Sequence, residues 1–143
     1  MKSRRIISLL AVAALATTVF VGCGDKKEEA KKEAGLKNGT YKKESEADDR
    51  GYKGSIEIEV KDGKIATVKY DEASDKDGSK LTNEGYNTSM KEKSKTNPKE
   101  AFPKLEASLV EKQDASKVDV VTGATNSSNQ FKTLAEKALE GAK

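Results

Sequence analysis

Two runs of alternating apolar and polar residues, separated by an Asp-Gly turn, constrain this chain more than any other feature. Residues 56–60 read Ile-Glu-Ile-Glu-Val and residues 66–70 read Ala-Thr-Val-Lys-Tyr. A period of two places alternate side chains on opposite faces of a strand. Both runs are therefore expected as half-buried strands of one hairpin, and their apolar face needs a covering layer. Lys61-Asp62-Gly63-Lys64 forms the turn. A two-residue Asp62-Gly63 loop pairs Ile58 with Thr67 and throws Ala66, Val68 and Tyr70 onto the wrong face. A three-residue loop with Gly63 left-handed pairs Ile58 with Ala66 and Ile56 with Val68. That choice gathers one apolar face and is the expected register. It leaves Ile65 facing the other way, to be covered by another element.

The rest of the domain supplies more sheet and the cover. Gly39-Thr40-Tyr41 opens a strand running to about Ser45, and Ala47 to Gly51 is a turn. Asp71 to Asn83 reads as a polar loop. Glu84 to Lys95 reads as a helix with Tyr86 and Met90 on one face. Asn97-Pro98 is a helix entry, with Pro98 at the first helical position. Phe102, Leu105 and Leu109 recur at helical spacing up to about Lys112, and Pro103 predicts a break or kink near Phe102. Lys117 to Val121 reads as a short strand. A last helix is expected from about Ser127, with Gln130 three residues on in a capping-box arrangement. Phe131, Leu134, Ala135, Ala138 and Leu139 then give a full amphipathic face, stopped by Gly141. The class is α+β: a small antiparallel or mixed sheet with helices packed on it.

The first 35 residues do not belong to this pattern. Lys2, Arg4 and Arg5 precede an apolar run from Ile6 to Val21, interrupted only by Ser8, Thr17 and Thr18. The run falls short of the roughly 20 apolar residues that span a bilayer, and reads as an export signal covering residues 1–22. It ends at Phe20-Val21-Gly22-Cys23, which resembles the lipobox of bacterial lipoproteins, with Phe20 where Leu is usual. The Cys23 thiol is then the acceptor of a diacylglycerol, and a small Gly22 suits cleavage before it. Gly24 to Gly35 is charged and has no apolar face, so it reads as a linker. Extended, these residues reach about 40 Å. The folded domain is expected over residues 36–143, held at the outer face of the bacterial cytoplasmic membrane by its acyl chains.

Composition removes several kinds of chemistry. There is no His and no Trp, and Cys23 is the one cysteine. The chain therefore lacks the commonest general base, an internal disulfide and any Cys-based metal site. Without Lys2, Arg4 and Arg5 the charges balance at 24 basic and 24 acidic residues. No basic stripe with interleaved aromatics is present, so nucleic acid is not an expected partner. Redox chemistry in such a chain requires an organic cofactor.

One segment carries the functional signal. Asp119-Val120-Val121-Thr122-Gly123-Ala124-Thr125 is followed by Asn126-Ser127-Ser128. A tight turn of small residues meets a hydroxyl-rich helix start, where free N–H groups and the helix dipole favour a phosphate. Gly123 allows close approach of the backbone to a ligand. Asn126, Ser127 and Ser128 extend the candidate cofactor-binding set.

The segment resembles the flavinylation motif of the FMN-binding domain family: Asp, two free positions, Ser or Thr, Gly, Ala, then Ser or Thr. Asp119, Thr122, Gly123, Ala124 and Thr125 match every defined position. The resemblance implies covalent FMN on Thr125 through a phosphoester, attached by a flavin transferase that uses FAD and a divalent metal. Asp119, Thr122, Gly123 and Ala124 would be the sequence that the transferase recognises. The phrases Asp49 to Gly54, Glu100 to Leu105 and Val118 to Thr125 are similar to FMN-binding domains of Gram-positive lipoproteins used in extracellular electron transfer. Those lipoproteins carry two such domains, and this chain has room for one. The implied role is an electron carrier rather than a substrate-converting enzyme. It takes electrons from a membrane redox donor and passes them to an extracellular acceptor such as ferric iron. By the same resemblance, residues 14–22 would be the source of a released peptide signal. Tyr70, Tyr86, Met90 and Phe102 are candidates to contact the flavin ring, or else core residues. The alternative is a cofactor-free surface lipoprotein, a binding or structural module in which Thr125 only caps the last helix.

Overall fold

Four antiparallel strands in sequential order form the sheet: β1 (Gly39–Glu44), β2 (Lys53–Lys61), β3 (Lys64–Ser74) and β4 (Gly78–Ser79). Three helices follow: α1 (Glu84–Ser94), α2 (Pro98–Lys112) and α3 (Thr125–Leu139). The structure is a computed structural model describing residues 35–143. The expected export signal, Cys23 and all but the last residue of the linker lie outside the described residues. The α+β class is as expected.

The core lies between one face of the sheet and two helices. Helix α2 packs on β3, and α3 packs on β2 and β1. Ile56, Ile58, Val60, Val68 and Tyr70 come from the hairpin and are buried. Phe102, Leu105 and Leu109 of α2 meet them, as do Phe131, Leu134, Ala135 and Ala138 of α3. The alternation on the strands and the 3.6-residue spacing on the helices thus converge on one cluster.

The hairpin register differs from the expected one. Lys61 pairs with Lys64 across a two-residue turn. Asp62 (φ 51°) and Gly63 (φ 76°) are both left-handed, as a type I′ turn requires. The register then shifts between Glu59 and Val60, leaving Ala66 without a partner on β2. Beyond this bulge Ile58 pairs with Val68 and Ile56 with Tyr70. One extra residue reconciles the favoured turn with the apolar face. It also brings Ile65 into the core and puts Ala66 outside.

Four other expectations change. Residues 71–83 are not all loop: β3 continues to Ser74, and Gly78–Ser79 pairs with Ala73 and Ser74. Helix α2 runs unbroken through Pro103. So near the N-terminus, Pro103 removes a single ladder bond, and the buried Phe102 before it is anchored in the core. Residues 117–121 form no strand. A 3₁₀ turn spans Ala115–Lys117, and Val118 alone of the following residues is fully buried. Helix α3 starts at Thr125, two residues earlier than expected, and without a side-chain cap.

Side chains from α2 and from Gln113 at its C-cap take the place of a further strand along β3. Gln113 Oε1 accepts from Ile65 N–H at 2.7 Å, and Gln113 Nε2 donates to the Ile65 carbonyl at 2.9 Å. Glu106 Oε1 accepts from Tyr70 N–H at 2.7 Å. These bonds satisfy backbone groups that would otherwise form an open edge. Asn87 of α1 is buried; it donates to the carbonyls of Lys80 (2.6 Å) and Asn83 (2.8 Å) and accepts from Lys99 N–H (3.2 Å). It ties α1 to the chain leaving β4 and to the start of α2.

Candidate functional site

The turn before α3 is fixed by three hydrogen bonds and one close backbone approach. Ala124 N–H donates to the Val121 carbonyl at 2.9 Å, closing a β-turn. Gly123 has φ +88°, and a Cβ there would lie 2.3 Å from the Ser94 carbonyl oxygen. Both the conformation and the close approach to the end of α1 demand glycine. Ser128 lies fully buried under the turn; its hydroxyl accepts from Val121 N–H (3.0 Å) and donates to the Ala124 carbonyl (2.8 Å).

Thr125 is the first residue of α3 and is exposed. The N–H groups of Thr125, Asn126 and Ser127 lie in the first turn, where an α-helix offers no acceptor. With no side-chain cap present, these donors and the helix dipole are available to an anion.

This helix start forms one wall of a cleft of about 660 Å³. Tyr86, Ser89, Met90 and Lys93 of α1 form a second wall. Glu72, Lys80 and Gln130 form a third, and Asp48 and Arg50 stand at the rim. The volume falls within the range of small-molecule and cofactor sites.

The third wall is a buried polar network. Lys80 and Glu72 form an ion pair with both side chains at most 5% exposed. The Tyr70 hydroxyl donates to Glu72 Oε1 at 2.8 Å and lies 3.0 Å from Gln130 Oε1. Gln130 Nε2 donates to Ser45 Oγ at 3.0 Å. The Lys80 ammonium sits 4.4 Å from the Tyr52 ring centroid and 5.2 Å from that of Tyr86. Burial, and then the Glu72 charge, push the Tyr70 hydroxyl far above the usual tyrosine range. At the rim, burial raises Asp48, but hydrogen bonds from the Tyr52 and Arg50 N–H groups outweigh it and hold the carboxyl below its ordinary value.

The sequence-derived site residues divide between cleft and surroundings. Gly123, Ala124, Thr125, Asn126 and Ser127 line the cleft. Ser128 is the clamp beneath it. Thr122 is exposed in the turn. Asp119 is exposed and accepts from Lys112 Nζ at 2.5 Å, which holds its carboxyl below the usual range. Of the ring candidates, Tyr86 and Met90 line the cleft. Tyr70 and Phe102 are core residues, edge to face with centroids 4.8 Å apart. Gln130, expected as a cap partner, reaches Tyr70 and Ser45 instead. Glu72 and Lys80 were missed. Glu72 was legible in principle, because it continues the phase of Val68 and Tyr70.

Among the described residues no cluster of His, Cys, Asp or Glu could hold a metal, and no helix is long and apolar enough to cross a membrane. What remains is a small α+β ligand-binding domain whose cleft joins an uncapped helix start, an exposed hydroxyl and an aromatic wall. Those features fit a phosphorylated, flat-ringed cofactor: donors for the phosphate, volume and Tyr86 for the ring. The chain belongs to the FMN-binding domain family, whose model matches residues 51–140. It is 35% identical over 109 residues to the 15 kDa lipoprotein of Treponema pallidum (strain Nichols), covering 76% of this chain and 77% of that one. A Clostridium perfringens protein of known crystal structure shares 48% identity, with a TM-score of 0.72 over 75% of this chain and 88% of its own. A Clostridium thermocellum protein solved by NMR shares 32% identity, with a TM-score of 0.50 over 73% of this chain and 90% of its own.

Proposed function

We propose that this chain is an exported, lipid-anchored electron carrier with FMN attached covalently to Thr125. The carrying observation is the exposed Thr125 at the uncapped start of α3, inside the cleft and at the last position of the flavinylation pattern. Thr125 supplies the oxygen of a phosphoester, made by a flavin transferase that takes FAD and releases AMP. The N–H groups of Asn126 and Ser127 are placed to hold the phosphate, and Gly123 keeps the turn against α1 so that the hydroxyl faces the cleft. Tyr86 and Met90 offer one face to the ring. FMN supplies the redox chemistry when bound, and the chain supplies position and electrostatics.

Anchoring through a diacylglycerol on Cys23 is supported by the lipobox-like residues and by similarity to a protein named as a lipoprotein. The anchor places the domain at the outer face of the bacterial cytoplasmic membrane. There it takes electrons from a membrane redox donor and delivers them to an extracellular acceptor such as ferric iron. Covalent attachment suits that place, where a dissociated cofactor would diffuse away.

Intact-mass measurement tests the attachment. Protein exported by a host with the transferase should carry the added mass of FMN, mapped to the peptide containing Thr125. Thr125→Ala should lose the flavin and keep its thermal unfolding midpoint. Unmodified mass in the parent protein would leave the cofactor-free module as the reading.

A further inference from the structure

The Lys80–Glu72 pair is a buried ion pair that the proposed attachment does not use. Removing two charges from water is unfavourable, and apolar side chains of similar volume commonly fill such a place at no loss of stability. A buried ion pair in a cleft wall is therefore a functional signal. Here both residues line the cleft. One carboxylate oxygen of Glu72 accepts from Lys80 and the other from the Tyr70 hydroxyl, so the carboxylate is held from two sides. The Lys80 ammonium lies over the rings of Tyr52 and Tyr86, and Tyr86 also lines the cleft. Its side chain is 3% exposed. A cation fixed in this way cannot swing to solvent when charge appears beside it.

Resting on the reading that FMN occupies this cleft, we propose that Lys80 and Glu72 are an electrostatic tuning pair that sets the potential of the flavin. Reduction of the ring by two electrons and one proton leaves a single negative charge on it. The electrons come from a chemical reductant in the test, dithionite. Because Lys80 is buried and so little screened by water, its charge favours that anion, and Glu72 moderates the effect. The two residues therefore act with opposite sign. Losing Lys80 disfavours the reduced state, and losing the Glu72 charge favours it.

The experiment is a reductive titration of flavin-loaded protein, with loading confirmed first by intact mass. Lys80→Met should lower the midpoint potential. Glu72→Gln should raise it, and Lys80→Arg should stay near the parent. Each shift should correspond to at least a tenfold change in the equilibrium for reduction, about 30 mV for a two-electron couple. Loosening of the fold cannot move the potential in opposite directions at neighbouring positions. Equal potentials in all loaded variants would overturn the proposal and leave the pair a structural element. So would a folded Lys80→Met that fails to take up flavin, because Lys80 would then serve maturation. If Lys80→Met fails to fold, Glu72→Gln carries the test alone, because its amide oxygen can still accept from Lys80 or Tyr70, and an unchanged or lowered potential there overturns the proposal as well. A parent protein without flavin mass points instead to failure of the attachment reading, and the tuning role falls with it.

Discussion

Strand β3 belongs to two regions of different character. At its start, Ile65, Val68 and Tyr70 enter a core with Phe102, Leu105, Leu109 and Phe131, where burial of apolar surface is the driving force. Four residues beyond Val68, the same inward face presents Glu72, and its partner is Lys80 on the chain leaving β4. Beyond that point the structure is held by directed contacts: a carboxylate between an ammonium and a phenol, a serine under a turn, a glycine against a carbonyl. Apolar burial tolerates exchange among side chains of similar volume. Directed polar contacts do not, because each lost partner leaves a buried group unsatisfied. The core therefore carries stability, and the cleft carries geometry.

Mutations at matched depth should separate these two roles. Phe131→Ala should have the largest effect on the fold, about 3–5 kcal/mol in denaturant unfolding, since a fully buried aromatic leaves a cavity. Gly123→Ala should cost less, about 1–3 kcal/mol, from a left-handed backbone and a collision with the Ser94 carbonyl. Its effect should be local. Hydrogen exchange should quicken at residues 121–128 and in the last turn of α1, while amides of the hairpin stay protected. Uniform loss of protection would show that the two regions unfold as one, and would break the comparison.

The smallest effect concerns the boundary between the regions. Glu106 caps Tyr70 N–H, and burial raises its carboxyl above the ordinary glutamate value of 4.5. Its folded state thus binds a proton more tightly than the unfolded chain does. The resulting contribution is fully present below about pH 4.5 and is lost as pH rises through the folded value. Glu106→Gln keeps an acceptor for Tyr70 N–H and should remove this part of the pH dependence. Unfolding midpoints of parent and variant at several pH values between 4 and 7 measure it. Parallel profiles would show that Glu106 does not titrate differently on folding.

The elements legible in the chain were those with repeating patterns. Alternation at 56–60 gave the strand, and the spacing from Phe131 to Leu139 gave the helix face. Asn97-Pro98 marked the start of α2, and the motif from Asp119 to Thr125 marked the turn in the cleft wall. The expected register sets turn against apolar face, whereas the bulge at Ala66 satisfies both. At Pro103 the local helix-breaking tendency yields to the packing of the buried Phe102 beside it. Residues 117–121 have strand-like composition, but Gln113 and Glu106 already satisfy the backbone of β3 beside α2.

Periodicity and turn chemistry are local, so they survive in a list of residues. They were enough for the α+β class, the apolar core and the turn in the cleft wall. The cleft wall is different in kind. Glu72 meets Lys80, Gln130 meets Tyr70 and Gly123 meets Ser94 across chain separations that leave no pattern. Such meetings exist only once the strands and helices have packed, because the free energy of a buried charge or a close backbone contact depends on what lies opposite it.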